Sequence, residues 1–353
     1  MNAAAYAALR QARTVNYVGP LNPPGSRWQR AVSKIARATS CRGNFSWFSE
    51  QRLAYIAEQV NERCDPAATA DFFHGFTPWI RTAPTRPYVA WSDCTFKDYV
   101  DIFHDRRKFR QIDLERIQEA EAHWLKQAQR VLFTSEWAAQ RAVQHYALDD
   151  KLVGSVGIFG EVEPPMCDVY NGSEEFVFVS TNFKTKGGPT VVAAFQTVKR
   201  RHPRATLKVI GDRPTRPSAQ PGVSYLGFLR KESPAEYEQF ERILSGARAL
   251  VNATKSDTAP VLLIEAGYFG CPVISTRRFA IPEIVAEGHS GLLVDRPDDP
   301  GCVAEAMCWM LEHEERYLGM RSAAWTRTRD LYSRARFGHR LRNAFIESVH
   351  EQA

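Results

Sequence analysis

The stretch FVFVSTNFKTKGGPTVVAAFQTVKRRHPRATLKVIG, residues 176–211, decides the fold of this chain. It begins with an aromatic and β-branched run, continues through a glycine pair into a segment with helical spacing of apolar residues, and ends with a second β-branched run. A strand, a helix and a second strand in this order form a βαβ unit, whose two strands lie parallel in one sheet. The stretch therefore predicts an α/β domain built on an open parallel sheet.

The same alternation extends along most of the chain. Toward the C-terminus, strands are predicted at 223–228, 247–253, 272–276 and 291–294, with helices at about 234–245, up to Gly270, and beyond Pro300. In the first half, strands are predicted at 14–19, 70–75, 87–92, 129–135 and 151–157, with helices at 50–60 and 114–126. Strands separated by helices predict doubly wound parallel sheets, hence two Rossmann-like lobes.

The length of the chain agrees with two domains. A chain of 353 residues exceeds what a single core usually serves. We place an N-terminal Rossmann-like domain at 1–165, a C-terminal one at 166–330, and a helix at 331–353 that crosses back to the first domain; the turn-rich segment 161–175 is the hinge. Ligands of open parallel sheets bind beyond the carboxyl ends of the strands, so two facing lobes would hold the active site in the cleft between them.

The composition excludes several classes of protein. It is 44% hydrophobic and 24% charged, as in ordinary globular domains. No apolar run approaches the roughly 18 residues of a membrane-spanning helix, and the first residues lack the apolar core of a signal peptide, so we expect a cytoplasmic protein. The seven cysteines are odd in number and form no C-x-x-C pair. This favours reduced structural thiols over disulfides or a zinc site.

The formal net charge of +6 is modest, but basic residues cluster at 106–108, 199–201 and 277–278. Each cluster is either a solvated surface or a region that favours phosphorylated ligands or the cytoplasmic face of an anionic membrane, which leaves peripheral membrane association as an alternative. No aromatic RNA-binding motif accompanies the clusters, so nucleic acid is not an expected partner. The oligomeric state is left open.

A second segment, SDTAPVLLIEAGYFGCPVIST at 256–276, carries two carboxylates. Thr258 as a cap and Pro260 in the first turn predict that a helix begins between Asp257 and Glu265. Free N–H groups at such a helix start suit an anion such as a diphosphate. Glu265 lies among apolar neighbours, where a charge is costly unless it is paired or bound by a ligand. On spacing alone, Glu265 is equally well interpreted as half of a structural salt bridge or as part of a ligand site.

This segment resembles the acidic signature of retaining GT-B glycosyltransferases of family 4, the glycosyl transferases group 1. In that pattern an acidic residue precedes a glutamate by eight positions, as Asp257 precedes Glu265 here. Further matching segments are GCPVI at 270–274, PEIV at 282–285, GHSGLLV at 288–294, the strand and Lys-Gly-Gly turn within 180–212, and the nucleobase strand-loop VSYLGFLRK at 223–231. The resemblance covers nearly all of 175–300.

The resemblance implies a GT-B fold, two Rossmann-like domains with parallel sheets facing across a cleft, the first on the acceptor side and the second binding the nucleotide sugar. It implies transfer of a sugar to an acceptor hydroxyl with retention, through an oxocarbenium-like transition state, in polysaccharide, glycolipid or glycoconjugate biosynthesis. The acceptor would be a glycan, a lipid-linked molecule or a small molecule. No metal and no cofactor is expected, because the sequence has no Asp-x-Asp typical of the metal-using fold, and Lys186 with the helix N-terminus can take the phosphate charge. The resemblance also implies that the departing phosphate accepts the proton of the acceptor, so no enzyme base is needed.

Carried over residue by residue, the resemblance assigns three catalytic residues. Lys186 would offset the phosphate charge, Asp257 would accept hydrogen bonds from the transferred sugar, and Glu265 would accept them from the ribose. The other donor-binding positions are Lys184, Gly187, Gly188, Phe228, Leu229, Thr258, Ala259, Pro260 and Val261.

The first lobe offers weaker candidates for the acceptor or sugar side. Gly25 and Ser26 follow the first predicted strand, where the family has a glycine-rich loop. His74 lies at the carboxyl end of the strand predicted at 70–75, and Asp93 lies at the end of the one predicted at 87–92. A buried, hydrogen-bonded structural histidine is the favoured alternative for His74, because a single histidine without a partner is weak evidence for a site.

Three departures from the family pattern keep other functions open. Asp257 stands where glutamate is usual, Lys184 and Thr185 stand where relatives have an arginine, and residues 278–281 replace a glycine pair. The alternatives are a non-catalytic scaffold or binding subunit of a glycan-assembly complex, and a sugar-nucleotide epimerase or a phosphorylase of the same fold. A dehydrogenase is disfavoured because no G-x-G-x-x-G follows the first predicted strand.

Overall fold

The computed structural model describes residues 2–11, 13–19, 21, 23, 27–38, 42–214 and 220–350. The chain forms two compact units, one made of Met1–Gly157 with Ala335–Ala353 and the other of Ile158–Arg334. The division lies after Gly157, a few residues before the position 165 expected from the sequence.

Helices and strands alternate through both units. The strands are β1 Asp71–His74, β2 Tyr88–Ser92, β3 Arg130–Phe133, β4 Val153–Ser155, β5 Glu175–Ser180, β6 Thr206–Gly211, β7 Val223–Gly227, β8 Ala249–Val251, β9 Val273–Thr276 and β10 Gly291–Val294. The α-helices are α1 Asn2–Arg10, α2 Arg27–Ala38, α3 Glu50–Arg63, α4 Phe96–Phe103, α5 Gln111–Lys126, α6 Glu136–Tyr146, α7 Gly188–Arg201, α8 Pro234–Gly246, α9 Val261–Tyr268, α10 Ile281–Ile284, α11 Pro300–Glu312, α12 Glu314–Leu331 and α13 Arg334–His350.

The first unit holds a parallel sheet in the order β1-β2-β3-β4. Its core joins inward residues of β3 to apolar residues of α3 and α5, among them Leu53, Ile56 and Ile117. The strand predicted at 14–19 is wrong, since these residues form no regular structure. Tyr17 is 60% exposed, whereas a strand of a parallel sheet must bury both faces.

The second unit holds six parallel strands in the order β10-β9-β8-β5-β6-β7. All six were predicted to within two residues at either end, because each is a short apolar run bounded by turn residues. The strand order reverses between β5 and β8, which makes this pair the topological switch point of a doubly wound sheet. The prediction of parallel α/β architecture is confirmed in both units.

The start of α9 differs from the expectation. The helix begins at Val261 with Pro260 as its N-cap, and no side chain caps it. Thr258 does not cap the helix; it is buried, and its carbonyl oxygen accepts the Ala280 N–H at 3.0 Å. The predicted end is confirmed, because Gly270 adopts φ +67° just beyond the last turn.

The segment 161–175, predicted as the hinge, packs onto the second unit. Asp168 accepts two hydrogen bonds from the buried Arg321, at 2.6 and 2.7 Å. The same guanidinium donates to the carbonyl oxygens of Ser245 and Phe269. A charge-assisted bidentate pair with a buried arginine holds the segment in place. The segment therefore belongs to the second unit, and the boundary between the units lies before it.

Candidate functional site

The turn after β5 presents the predicted phosphate-binding lysine. The N–H of Gly188 donates to the carbonyl of Phe183 at 2.8 Å, which closes the turn. Gly187 adopts φ +85°, and a Cβ there would overlap the carbonyl oxygen of Ala253, just beyond β8. A Cβ at Gly188 would overlap the ring of Phe183. The glycine pair therefore lets the turn that carries Lys186 lie directly against the segment after β8.

Lys186 and Asp257 meet at the switch point of the sheet. The Lys186 Nζ lies 2.6 Å from Asp257 Oδ2 and 2.8 Å from the carbonyl oxygen of Ser256. Both side chains are mostly buried. One residue follows β5 and the other follows β8, so the ion pair bridges the two loops between which α/β sheets bind their ligands. An anionic ligand that binds Lys186 would compete with Asp257 for the ammonium group.

Glu265, the third predicted catalytic residue, lies within α9 and is 2% exposed. Its Oε1 accepts a hydrogen bond from the Lys231 Nζ at 2.7 Å and one from the backbone N–H of Glu161 at 3.0 Å. A buried carboxylate needs such partners, because desolvation without them is costly. The charge of Glu265 is therefore compensated by a lysine from the loop after β7.

The sequence analysis missed Lys231. It belongs to VSYLGFLRK, which was assigned to the base of the donor through Phe228 and Leu229. The only available signal was a cation at the end of that segment, and nothing in the spacing indicates that it reaches a residue 34 positions later.

The loop after β7 also exposes an aromatic ring. Phe228 is 61% exposed and Leu229 is partly buried. Lys184, in the turn after β5, is exposed as well. Before α9, Thr258 and Pro260 are buried, while Ala259 and Val261 are partly exposed. The predicted donor-binding residues therefore follow β5, β7 and β8 at the carboxyl edge of one sheet.

Two buried polar atoms at this edge lack partners among the described residues. They are Oδ1 of Asn252, just after β8, and Oγ1 of Thr276, the last residue of β9. An unsatisfied buried polar atom costs about 1–3 kcal/mol, so such atoms are uncommon and point to an external hydrogen-bonding partner. Sequence reasoning could not have identified them, because their burial depends on the whole sheet.

In the first unit, His74 is the last residue of β1 and Asp93 directly follows β2; both are exposed. The expectation of a buried histidine is wrong, although the ring lies 4.9 Å from that of Trp91. Desolvation by its neighbours lowers the pKa of His74, and the charge of Asp93 opposes this effect. Gly25 and Ser26 lie outside the described residues.

Acidic partners accompany the three basic clusters. Arg107 lies 3.0 Å from Asp105, and Arg201 lies 2.8 Å from Glu312. Arg277 pairs with Glu287 and Asp295, both at 3.0 Å. These contacts favour the interpretation of the three basic clusters as solvated surfaces. Within the described part of the chain, no helix combines the length and the apolar character needed to cross a bilayer.

The segment that contains the candidate site is similar to a known protein family. Residues 173–313 match the family model described as Glycosyl transferases group 1. D-inositol 3-phosphate glycosyltransferases of Corynebacterium efficiens and Corynebacterium urealyticum are 28% identical to this chain over 171 and 156 residues, which is 42% and 40% of this chain. The chain spans 40% and 36% of the length of these two relatives.

Solved structures resemble a larger part of the chain. A TarM variant from S. aureus, in complex with fondaparinux, alpha-GlcNAc-glycerol and UDP, has a TM-score of 0.64 at 12% identity over 83% of this chain and 58% of that one. HepE from Anabaena in complex with UDP has a TM-score of 0.63 at 15% identity over 93% and 98%. At these identities the likeness shows the fold alone. The GT-B type of fold is confirmed, as is the resemblance to group 1 glycosyl transferases over 173–313.

Proposed function

We propose that this chain, which carries a group 1 glycosyl transferase domain over residues 173–313, transfers a sugar from a nucleotide-sugar donor to an acceptor hydroxyl with retention at the anomeric carbon. The observation that carries the proposal is the Lys186–Asp257 ion pair at the switch point of the second sheet. The glycosyltransferase names of the relatives, and the complex that HepE forms with UDP, support a nucleotide-sugar donor.

The ion pair suggests how the site responds to its donor. The diphosphate takes the ammonium group of Lys186 from Asp257, since two phosphate groups carry more charge than one carboxylate. The lysine then neutralises the charge that grows on the leaving nucleoside diphosphate. Asp257, released from the pair, accepts hydrogen bonds from hydroxyls of the transferred sugar. Glu265, held by Lys231, offers its carboxylate to the ribose.

The remaining steps need no protein base. As the bond from the anomeric carbon to the phosphate oxygen breaks, the sugar gains oxocarbenium character, and the acceptor oxygen attacks the same face. The departing phosphate takes the proton of the acceptor hydroxyl. We propose that transfer requires neither metal nor organic cofactor, because Lys186 and the N–H groups at the start of α9 offset the phosphate charge.

The acceptor is a glycan, a lipid-linked molecule or a small molecule, and the pathway is one of polysaccharide, glycolipid or glycoconjugate synthesis. We infer a cytoplasmic site of action, where nucleotide sugars are available. Peripheral attachment to the cytoplasmic face of the membrane would suit a lipid-linked acceptor.

The first experiment is a thermal-shift screen against UDP, GDP, ADP, CMP and their common sugar conjugates. A ligand that binds only the folded chain raises the melting temperature by mass action. We expect one nucleoside diphosphate and its conjugates to stabilise the wild type and Glu238→Gln, an exposed control on α8, but not Glu265→Gln. Equal shifts in all three proteins would refute the assignment of Glu265.

Product analysis then separates the alternatives. A transferase releases nucleoside diphosphate only in proportion to glycosylated acceptor. An epimerase changes the donor sugar without an acceptor, and a phosphorylase requires phosphate. Donor binding without any product would favour the scaffold function. That alternative rests on two departures from the family pattern, the aspartate at 257 where glutamate is usual and Lys184 with Thr185 where relatives have an arginine.

A further inference from the structure

A second cluster of reactive side chains lies at the opposite end of α7 from Lys186. His202 directly follows this helix, and Cys308 and Glu312 lie on α11, which packs against α7 in the core of the second unit. Fourteen residues of α-helix separate the two ends of α7, a distance of roughly 20 Å. The cluster therefore has no part in the proposed donor site.

The donor atoms of these three side chains lie close together. The donor atoms of His202, Cys308 and Glu312 all lie within 4.8 Å of one another. Nε2 of His202 lies 3.2 Å from Oε1 of Glu312. Ligands about 2.0–2.3 Å from a tetrahedral zinc ion stand roughly 3.3–3.6 Å apart, so the imidazole and the carboxylate need little movement to share an ion.

The backbone fixes these donors in advance. Cys308 and Glu312 are four residues apart on one helix, so they lie on the same face. Cys308 is 1% exposed, His202 is partly exposed and Glu312 is exposed, which places the sulfur at the base of the cluster and the carboxylate toward solvent. An ion held by these three groups would keep one position open to water.

Arg201 would compete with a metal ion for the carboxylate of Glu312. Its guanidinium lies 2.8 Å from Oε1 of Glu312, the atom that also faces His202. The arginine side chain is 49% exposed, and an exposed ion pair contributes about 0–1 kcal/mol. A divalent ion can therefore displace Arg201 at small cost.

We propose that His202, Cys308 and Glu312 form a site for Zn²⁺ or a divalent transition ion of similar softness. A thiolate with an imidazole selects such ions over Mg²⁺ and Ca²⁺, which require oxygen ligands. Binding releases the thiol proton of Cys308 to solvent and joins the end of α7 to α11. His202 and Cys308 are 106 positions apart, which hides the site from motif analysis and led to the expectation of purely structural thiols.

Cobalt titration of the whole 353-residue chain tests the site. Bound to a thiolate, Co²⁺ gives a charge-transfer absorption in the near ultraviolet. We expect this band to saturate at one equivalent, to disappear on addition of Zn²⁺, and to be absent in Cys308→Ser. Cys302→Ser, on the same helix, and Cys167→Ser, an exposed thiol, are matched controls that should keep the band.

Two further variants test the other ligands without removing the thiol. His202→Ala and Glu312→Gln should each weaken Co²⁺ binding by more than the roughly 10–100-fold that loss of an outer-shell partner costs. Zn²⁺ should raise the melting temperature of the wild type and of both cysteine controls, but not of these two variants. A band that persists in Cys308→Ser, or a wild type without a saturable band, would overturn the proposal. So would unchanged affinity in His202→Ala and Glu312→Gln, even if Cys308→Ser failed to fold.

Discussion

At the scale of single residues, the Lys186–Asp257 pair allows binding to be separated from turnover. Asp257→Asn removes the carboxylate charge that pairs with the ammonium group of Lys186. We therefore expect a nucleoside diphosphate to bind this variant as tightly as the wild type or more tightly. Sugar transfer should fall about a hundredfold, the loss typical of removing one group that acts on the transition state. Calorimetric titration and initial rates measure the two quantities.

The matched control for this change is Asp298→Asn, which removes the partner of Lys255 from a nearby exposed ion pair. It should change neither affinity nor rate. Lys186→Met should weaken diphosphate binding by about 10- to 100-fold, the value of a hydrogen bond to a charged group. If Asp257→Asn weakened binding as much as Lys186→Met, the two residues would not compete as proposed.

Lys231 and Glu265 form a second ion pair, whose contribution to stability can be measured. Lys231→Met leaves the carboxylate of Glu265 buried without its cation. Because Lys231 is substantially exposed, we expect a loss of about 1–2 kcal/mol in the free energy of unfolding, below the 3–5 kcal/mol of a fully buried pair. Denaturant unfolding at neutral pH measures it.

A double-mutant cycle tests whether the contact between Lys231 and Glu265 stabilises the fold. Adding Glu265→Gln to Lys231→Met removes the unpaired charge, so the double variant should regain most of the lost stability. Strictly additive losses would show that the 2.7 Å contact contributes nothing to the fold.

At the scale of elements, the turn between β5 and α7 depends on the conformation and small size of Gly187. An alanine there would be held at φ +85° with its Cβ against the carbonyl oxygen of Ala253. We expect Gly187→Ala to lower the free energy of unfolding by at least about 1–3 kcal/mol, the cost of a strained left-handed residue. Thermal unfolding of the two proteins measures the difference.

Gly246→Ala is the control, since a Cβ at the end of α8 meets nothing within 4 Å. It should leave the stability unchanged or raise it by up to about 1 kcal/mol, because alanine is the better helix former. A Gly187→Ala protein as stable as this control would mean that the turn can move away from β8.

The helices and strands also show which parts of the fold could be predicted from the sequence. The six strands of the second unit were predictable because each is a local apolar run between turn residues. Residues 14–19 have a similar pattern but form no strand, since a strand of a parallel sheet exists only where neighbours cover it. The cap of α9 was assigned to Thr258, but the helix begins at Val261 with Pro260 as its N-cap, two residues further along the chain. Lys231 was missed because pairs between distant segments leave no local signal.

At the scale of the whole molecule, the first unit contains a buried carboxylate that no sequence pattern indicated. Glu121 on α5 is fully buried and accepts hydrogen bonds from Thr77, Tyr146 and the N–H of Phe96. Burial raises its pKa from 4.5 to about 7, and the three hydrogen bonds only partly oppose this shift. The protonated form is therefore favoured in the folded chain up to about pH 7.

This shift makes the stability of the first unit fall as pH rises. Between pH 4.5 and 7 the folded chain retains a proton that the unfolded chain has lost, so the contribution of Glu121 is largest below pH 4.5 and is lost progressively up to pH 7. From pH 5 to pH 8 we expect the wild type to lose about 2–3 kcal/mol relative to Glu121→Gln. Denaturant unfolding followed by tryptophan fluorescence suits the measurement, since six of the eight tryptophans lie in the first unit.

The control for this pH dependence is Glu119→Gln, an exposed position on the same helix. Its difference from the wild type should be equal at pH 5 and pH 8. A difference between wild type and Glu121→Gln that is also independent of pH would mean that Glu121 is already ionised in the folded chain at pH 5. The hydrogen bonds from Thr77, Tyr146 and Phe96 would then outweigh burial, and the cluster would stabilise the charged carboxylate rather than the neutral acid.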